Sequence, residues 1–276
     1  MAFSVNTNLG ALQAYNALAK VTAETQKAQL RLATTKRINS VADDTSGWNV
    51  GKKLEASNLQ MKSQLSNISS AQNFLSTAES ALQQVYDKLN QILAKQEDYK
   101  DPLKDKTALQ NDVKTLADEV NSILSNTKIN GADLLASASN SFGAGATSVT
   151  VNIGAQLGSN TTTLTALQVG DATSMTTDIT TFQSNVRTAL SYVGNSTQTF
   201  NSRQDFLTAS VANNTALISQ LFDTDMAAEQ LNSTKGQISG QIATAMLSQM
   251  NAAPQQLLSL FLVLSGVILL FVSVLI

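Results

Sequence analysis

The stretch LSNISSAQNFLSTAESALQQVYDKLNQIL, residues 65–93, carries the strongest structural signal in the chain. Along one 3–4 spaced stripe, seven of nine positions are apolar or tyrosine: Leu65, Ile68, Leu75, Leu82, Tyr86, Leu89 and Leu93. Such spacing is typical of a helix that packs one face against another helix. It therefore predicts a helix over 57–97 with a coiled-coil-like seam.

Three other segments have helical periodicity. The first, 3–36, has a weak apolar stripe, and the second, 104–127, has a complete one. The third begins at about 173 and continues to the end of the chain. In its distal part, eight of eleven positions on the stripe from Leu217 to Ala252 are apolar. Residues 37–56 interrupt the first helical pattern, and an Asn-Gly turn signal at 130–131 ends the second.

The helical pattern is absent from residues 136–172. TSVTVNI (147–153) and TTTLTALQV (161–169) are rich in β-favouring residues, and GAQLGSN (154–160) separates them. This arrangement predicts a small segment that contains a β-hairpin.

These patterns predict a mainly α fold: an elongated antiparallel helical bundle or coiled-coil rod with a small β-hairpin segment at its distal end. The family resemblance given below further implies that 1–36 and 235–276 are terminal assembly helices and that 37–135 and 173–234 form a helical rod domain, with a β-containing insert at 136–172. Aromatic residues are only 5% of the chain, and the terminal stripes are rich in small residues. Part of the stability is therefore expected to come from neighbouring copies.

The composition excludes several classes of function. Cysteine and histidine are both absent, so thiolate chemistry and the commonest general base and metal ligand are unavailable. The net charge is −2 and no block of Lys and Arg occurs, which argues against nucleic acid as a partner. We predict that the chain is not an enzyme and has no catalytic, cofactor or metal site.

The segment KRINSVADDTSGWNVGKKLEA, residues 36–56, contains the candidate polar sites. Asp43 and Asp44 fit a helix cap or a subunit contact better than a carboxylate site, since one local pair makes no catalytic constellation. Trp48, the only tryptophan, is either a core anchor or an interface anchor. Arg37 is either a solvated charge or the partner of an acidic residue of another copy, such as Asp223 or Asp225.

Five ordered motifs resemble bacterial flagellins. They are VNTNLGALQA (5–14), KRINSVADDTSGWNVGKKLEA (36–56), TKINGADLL (127–135), LFDTDMAAE (221–229) and MLSQMNAAPQQLLSLF (246–261). The second is similar to the Arg-Ile-Asn-Ser segment of that family and is the most specific of the five.

The resemblance implies a structural subunit that polymerises into the flagellar filament used for swimming. It implies export through the flagellar type III apparatus without a cleaved signal peptide, and an extracellular location. The implied partners are other copies of the chain, an export chaperone, the filament cap and hook-junction proteins. Assembly contacts are expected at Leu9, Leu12, Arg37, Asn39, Asp43, Asp44, Trp48, Ile238, Ile242, Ala245, Ala252, Leu258, Ser259 and Gly266.

Two alternatives to a filament subunit stay open. A hook–filament junction protein shares these end motifs with flagellins. A tail-anchored membrane coiled-coil protein is the alternative from a different class, with residues 257–276 as its anchor.

Residues 257–276 form an uncharged apolar run of twenty residues, about 30 Å long as a helix, which is close to one bilayer core. The flagellin-like ending stops near Phe261, and residues 262–276 continue beyond it. We favour an extended assembly helix whose tail contacts other copies over a membrane anchor.

Overall fold

The structure, a computed structural model, describes residues 8–135, 139–145, 148–158 and 172–274. Its helices are α1 (Leu9–Thr34), α2 (Thr45–Tyr99), α3 (Lys106–Asn126), α4 (Gly154–Leu157), α5 (Ala172–Phe222) and α6 (Met226–Val274). Its strands are β1 (Lys128–Ile129), β2 (Ala132–Asp133), β3 (Asn140–Gly143) and β4 (Ser148–Val151). The predicted class, mainly α with a small β-hairpin segment, is confirmed.

Helix α2 begins at Thr45, twelve residues before the predicted start at 57. Asp44 caps it, because its side chain accepts a hydrogen bond from the Gly47 amide at 2.8 Å. The glycines that weaken the helical signal, Gly47 and Gly51, are buried inside the helix where other side chains approach the backbone closely. The two glycines therefore make the sequence look like a break in the helix, although the packing requires glycine at both positions.

The prediction of one helix from 173 to the end is wrong, because α5 ends at Phe222 and α6 begins at Met226. Asp225 starts the new helix by accepting hydrogen bonds from the amides of Ala227 at 2.9 Å and Ala228 at 3.1 Å. The apolar periodicity runs through this break, so periodicity alone could not reveal it.

The two strand pairs are short antiparallel hairpins. Asn130 and Gly131 both have positive φ, at 50° and 81°, and form the two-residue turn between β1 and β2. The predicted TSVTVNI stretch contains β4, which pairs with β3 before it in the chain. The other predicted stretch, 161–169, lies outside the described residues.

The chain divides into two compact units: residues 1–54 with 216–276 (unit 1), and residues 55–215 (unit 2). Unit 1 contains α1, α6, the first turns of α2 and the last turns of α5. Unit 2 contains the rest of α2 and α5 together with α3, α4 and the hairpins. The predicted division into assembly and rod domains stays a prediction.

In unit 2, α2 lies antiparallel to both α3 and α5. Lys88 pairs with Glu119 at 2.9 Å and Lys95 with Asp112 at 2.7 Å, so α3 runs opposite to α2. Side-chain hydrogen bonds between α2 and α5 give the same direction, from Asn58 to Thr215 and from Gln183 to Asn90. Phe142 of β3 lies edge-on to Phe74 of α2 and to Phe200 of α5, which fastens the hairpin to the helices.

The predicted seam on α2 is half right. Ile68, Leu75, Leu82 and Leu89 are buried as expected. The intervening buried positions are Ala71, Ala78, Val85 and Ile92, each one residue before the predicted one. This shift removes the two polar exceptions, Gln72 and Glu79, from the core. The buried positions of α2 from Ile68 to Ile92 therefore form an unbroken apolar stripe.

Among the residues that the structure describes, no helix is long and apolar enough to cross a membrane. The side chains of 265–276 lie outside the described part, as do those of 253–258 and 261.

Leu82→Ala should lower the free energy of unfolding by about 2–5 kcal/mol, because Leu82 is fully buried and the change leaves a cavity. Leu59→Ala, also on α2, is the matched control, since Leu59 is 73% exposed. Urea unfolding followed by circular dichroism measures both. Equal effects of the two substitutions would contradict the assignment of the core.

Candidate assembly surface

Each helix of the α1–α6 pair has two stripes of residues on opposite sides. On α1 the inner stripe, at least partly buried, consists of Ala11, Ala14, Leu18, Val21, Thr25, Ala28 and Leu32. The outer stripe lies two residues earlier at each step, and its apolar members, all exposed, are Leu9, Leu12, Ala19, Ala23 and Leu30. Two residues turn an α-helix by about 200°, so the two stripes face in nearly opposite directions.

Helix α6 repeats this arrangement. Its inner stripe consists of Glu229, Ser233, Gly236, Gly240, Ala243 and Leu247, all at least partly buried. Its outer stripe lies two residues later at each step, and its apolar members, all exposed, are Leu231, Ile238, Ile242 and Ala245. Ala252, seven residues further along the same stripe, is also exposed. Apart from Leu247, the larger apolar side chains of these two stripes therefore face away from α1.

The small inner residues let α1 and α6 approach each other closely. A Cβ atom built on Gly236 would lie 2.1 Å from Thr25 Oγ1, so no larger residue fits there without movement. Nearby, the Arg31 guanidinium donates a hydrogen bond to the Glu229 carboxylate at 3.0 Å, and Glu229 is 7% exposed. At the other end, the Asn8 side-chain amide donates to the Met250 carbonyl at 3.0 Å. The pair is thus antiparallel, with its register fixed by polar contacts at both ends.

The segments that follow α1 and α5 are joined by backbone hydrogen bonds within unit 1. The Arg37 amide donates to the Phe222 carbonyl, and the Thr224 amide donates to the Thr35 carbonyl at 3.1 Å. Thr35 has a φ of 58°, which is unfavourable for a β-branched residue. The two hydrogen bonds hold this strained turn in place.

A small aromatic cluster lies beside these segments. Phe222 and Ile38 are buried, and the Trp48 ring meets the Phe222 ring edge-on with centroids 6.1 Å apart. A Cβ atom built on Gly51 would lie 1.7 Å from the Phe222 ring. Lys52 Nζ lies 4.9 Å from the centroid of the half-exposed Trp48 ring, a cation–π distance. Gly51 therefore provides the space that Phe222 fills.

Asp43 stabilises the turn between α1 and α2. Its carboxylate pairs with Lys27 Nζ at 2.8 Å and accepts hydrogen bonds from the backbone amides of Asn39 and Ser40. The hydrogen bond from Lys27 is the largest influence, and it holds the pKa of Asp43 far below its usual range. Across the described ranges, no cluster of three or more acidic side chains could hold a metal ion. Asp43 and Asp44 thus act within the chain as a turn-stabilising residue and a helix cap.

Family comparisons match both ends of the chain. Residues 5–141 match the bacterial flagellin N-terminal helical region, and residues 175–261 match the bacterial flagellin C-terminal helical region. This chain belongs to the flagellin family.

Individual relatives agree with this assignment. The flagellar filament core protein flaB2 of Brachyspira hyodysenteriae is 30% identical over 285 residues, covering 93% of this chain and 99% of that protein. The flagellar filament 33 kDa core protein of Treponema phagedenis is 27% identical over 288 residues, with the same coverage. Polar flagellin F of Vibrio parahaemolyticus is 31% identical over 138 residues, 49% of this chain but only 37% of that protein. A solved structure described as a flagellar hook-associated protein from Vibrio parahaemolyticus is 12% identical, with a TM-score of 0.43 over 66% of this chain and 97% of that one.

In this flagellin, most predicted assembly residues lie in unit 1. Leu9 and Leu12 lie on the outer stripe of α1, and Ile238, Ile242, Ala245 and Ala252 on that of α6; Ser259, further along α6, is exposed. The exposed Arg37 guanidinium donates to the Leu221 carbonyl of its own chain at 3.1 Å. The Asn39 side chain donates to the Lys36 carbonyl at 2.9 Å. Leu258 and Gly266 lie outside the described side chains.

The sequence interpretation missed the residues that hold unit 1 together. Ile38, Gly51 and Phe222 form its buried cluster, and Thr25 and Gly236 set the approach of α1 to α6. A usable signal was present, because Gly47 and Gly51 are four residues apart and so lie on one face of a helix.

Gly51→Ala should destabilise unit 1 by about 1–3 kcal/mol, because the added methyl group would overlap the buried Phe222 ring. Gly240→Ala is the control, since a Cβ atom there meets no atom within 4 Å. Removing a helical glycine at that position should stabilise by about 0.5–1 kcal/mol. Thermal unfolding measures both variants, and equal shifts would refute the proposed role of Gly51.

Asp43→Asn should lower the thermal stability at neutral pH. Because the pKa of Asp43 is depressed in the folded chain, its contribution is present above the unfolded-state pKa of about 4 and is lost as the pH falls below it. The difference in melting temperature between wild type and variant should therefore shrink as the pH is lowered from 7 to 2. A difference that stays constant over this range would show that the carboxylate charge contributes nothing.

Proposed function

We propose that this chain is the structural subunit of a bacterial flagellar filament used for swimming, and that it polymerises through the outer stripes of α1 and α6. One observation supports polymerisation through these stripes. The two helices place mainly small residues on the sides that face each other, with Leu18, Leu32 and Leu247 as the large exceptions. They leave leucines and isoleucines exposed on their outer sides. A helix pair that kept its apolar side chains for itself would show the opposite arrangement.

The exposed side chains are sufficient in size to drive association. Leu9, Leu12, Leu231, Ile238 and Ile242 are each more than half exposed. Complete burial of one such side chain contributes about 1.5–3 kcal/mol. Because each of the five is 53–69% exposed, their burial can contribute about 4–9 kcal/mol together. This is of the same order as the cost of association, about 4–15 kcal/mol at the 1 M standard state.

The positions of the stripes favour an open polymer. The outer stripe of α1 and that of α6 lie on opposite sides of the pair and differ in sequence, so they do not form one self-complementary patch. Contacts between unlike surfaces generate rings or helical filaments, whereas a closed dimer uses the same surface twice.

Two of the relatives that this chain matches along 99% of their length are named as flagellar filament core proteins. We extend this assignment to an extracellular filament whose subunits pass through the flagellar export apparatus. An export chaperone, the filament cap and hook-junction proteins are its proposed partners. The function needs no cofactor and no catalytic residue.

Combined Ile238→Asp and Ile242→Asp should abolish polymerisation, because two charges would be buried in the contact between copies. The variant should remain a folded helical monomer, since both side chains are exposed in the single chain. Sedimentation and electron microscopy of purified protein measure polymerisation, and circular dichroism measures helix content.

Leu59→Asp is the matched control, because it places the same charge on an exposed leucine of unit 2. It should still form long fibres. Fibres formed by the double variant would contradict the role of the outer stripe. Short capped assemblies from the wild-type chain, without long fibres, would instead indicate a hook–filament junction protein.

A further inference from the structure

The turn between β1 and β2 contains Asn130-Gly131, the only Asn-Gly pair in the sequence. Both residues are exposed, and they form the tip of a hairpin whose strands have two residues each. An asparagine followed by glycine is chemically labile, because glycine has no side chain to hinder attack by its backbone nitrogen on the preceding side-chain amide. The reaction therefore has one favoured location in this chain.

The closed turn keeps the two reacting groups apart. Positive φ at both positions, 50° and 81°, is typical of a type I′ turn, in which ψ of the first central residue is about 30°. That ψ places the Gly131 nitrogen on the opposite side of the Cα–C bond from Asn130 Cβ. The nitrogen can reach the side-chain carbonyl carbon only after a large rotation of ψ, and that rotation opens the turn.

Contacts beside the turn hold it closed. Lys128 Nζ pairs with the Asp133 carboxylate at 2.9 Å across the hairpin, and the Leu134 amide donates to the Thr127 carbonyl at 3.0 Å. Leu134 and Leu135 are 1% and 5% exposed and belong to the core of unit 2. A hairpin this short is at best marginally stable by itself, and a surface ion pair adds little. Closure therefore depends mainly on the burial of the two leucines.

We propose that Asn130 is a deamidation site that the folded hairpin protects. When the hairpin opens, the Gly131 nitrogen forms a bond with the Asn130 side-chain carbonyl carbon, and the side-chain amino group leaves as ammonia with the Gly131 amide proton. Water then opens the resulting cyclic imide at one of its two carbonyls. One product is aspartate, and the other is isoaspartate, in which the side-chain carbons have become part of the backbone. The net reaction consumes one water and releases one ammonia.

The two products affect the hairpin differently. Aspartate keeps the length of the backbone and tolerates a left-handed conformation, as asparagine does. Isoaspartate adds a carbon atom to the backbone of a two-residue turn, and the turn sets the register of the strands that it joins. The altered register displaces Leu134 and Leu135, which directly follow β2, from the core.

Peptide mapping by mass spectrometry measures the conversion of Asn130 in full-length chain, kept at mildly alkaline pH with and without denaturing guanidinium chloride. The unfolded chain should convert Asn130 at least about tenfold faster than the folded chain, because the reaction follows the population of the open hairpin. Asn140, which precedes Ser141 in β3, is the matched control within the same samples. In the unfolded chain it should convert much more slowly, since the serine side chain hinders the attack.

Three variants test the contacts and the products. Leu134→Ala removes an apolar anchor beside the turn and should bring the rate in the folded chain closer to that of the unfolded chain. Leu59→Ala, the exposed control on α2, should leave the rate unchanged. Asn130→Asp should keep the wild-type melting temperature, whereas wild-type chain enriched in isoaspartate should melt several degrees lower. Circular dichroism verifies that each variant is folded, and the wild-type comparison stands without Leu134→Ala.

The contrary results are equally specific. Equal rates in the folded and the unfolded wild type would overturn the protection by the turn. Conversion of Asn140 as fast as that of Asn130 in the unfolded chain would overturn the choice of site. A folded Leu134→Ala variant with the wild-type rate would overturn the dependence of closure on the core.

Discussion

The close contact between α1 and α6 is the constraint on which unit 1 depends. Thr25 lies against Gly236, so the two backbones lie near each other there, and Ala28 and Ser233 are buried. Small residues permit that approach but bury little apolar area, and apolar area is the main source of stability. The pair therefore gains closeness at the expense of hydrophobic stabilisation. Larger apolar residues lie exposed on the opposite sides of the same helices, and in the proposed filament their burial would supply the missing stabilisation.

Unit 2, in contrast, buries its large apolar residues within the single chain. Its helices α2, α3 and α5 surround a shared core in which Leu75, Leu82 and Phe182 are almost completely buried. Ion pairs such as Lys88–Glu119 lie at the surface of that core, and surface pairs contribute little by themselves. A unit of this kind is expected to fold without neighbours. The two units thus differ in the location of their apolar residues, although both consist mainly of long amphipathic helices.

The sequence predicted where the helices lie better than it predicted which surface each apolar stripe faces. Periodicity located α2, α3 and the apolar stripe of α6, because burial on one face imposes a repeat near 3.6 residues. It could not tell whether a stripe faces its own chain or another copy, because both environments select the same residues. Ile238 and Ile242 were predicted at a contact between copies from their place in a terminal arm. Their exposure in the single chain is the physical observation that the sequence could not supply.

The errors at the two helix boundaries have different causes. Gly47 and Gly51 suggested an interruption, whereas the structure uses them to admit Ile38 and Phe222 against the backbone of α2. The break at 223–225 was missed because the apolar repeat continues across it, although Asp225 is a favourable helix cap. At 223–225 the cap is local and the apolar repeat conceals it, whereas at Gly51 a contact with Phe222, distant in sequence, overrides the local preference. Such contacts also join the turns after α1 and α5, where the Thr35 carbonyl accepts from the Thr224 amide. The orientation of the two terminal helices is consequently set by contacts within the chain, and the same contacts set the directions in which the outer stripes face.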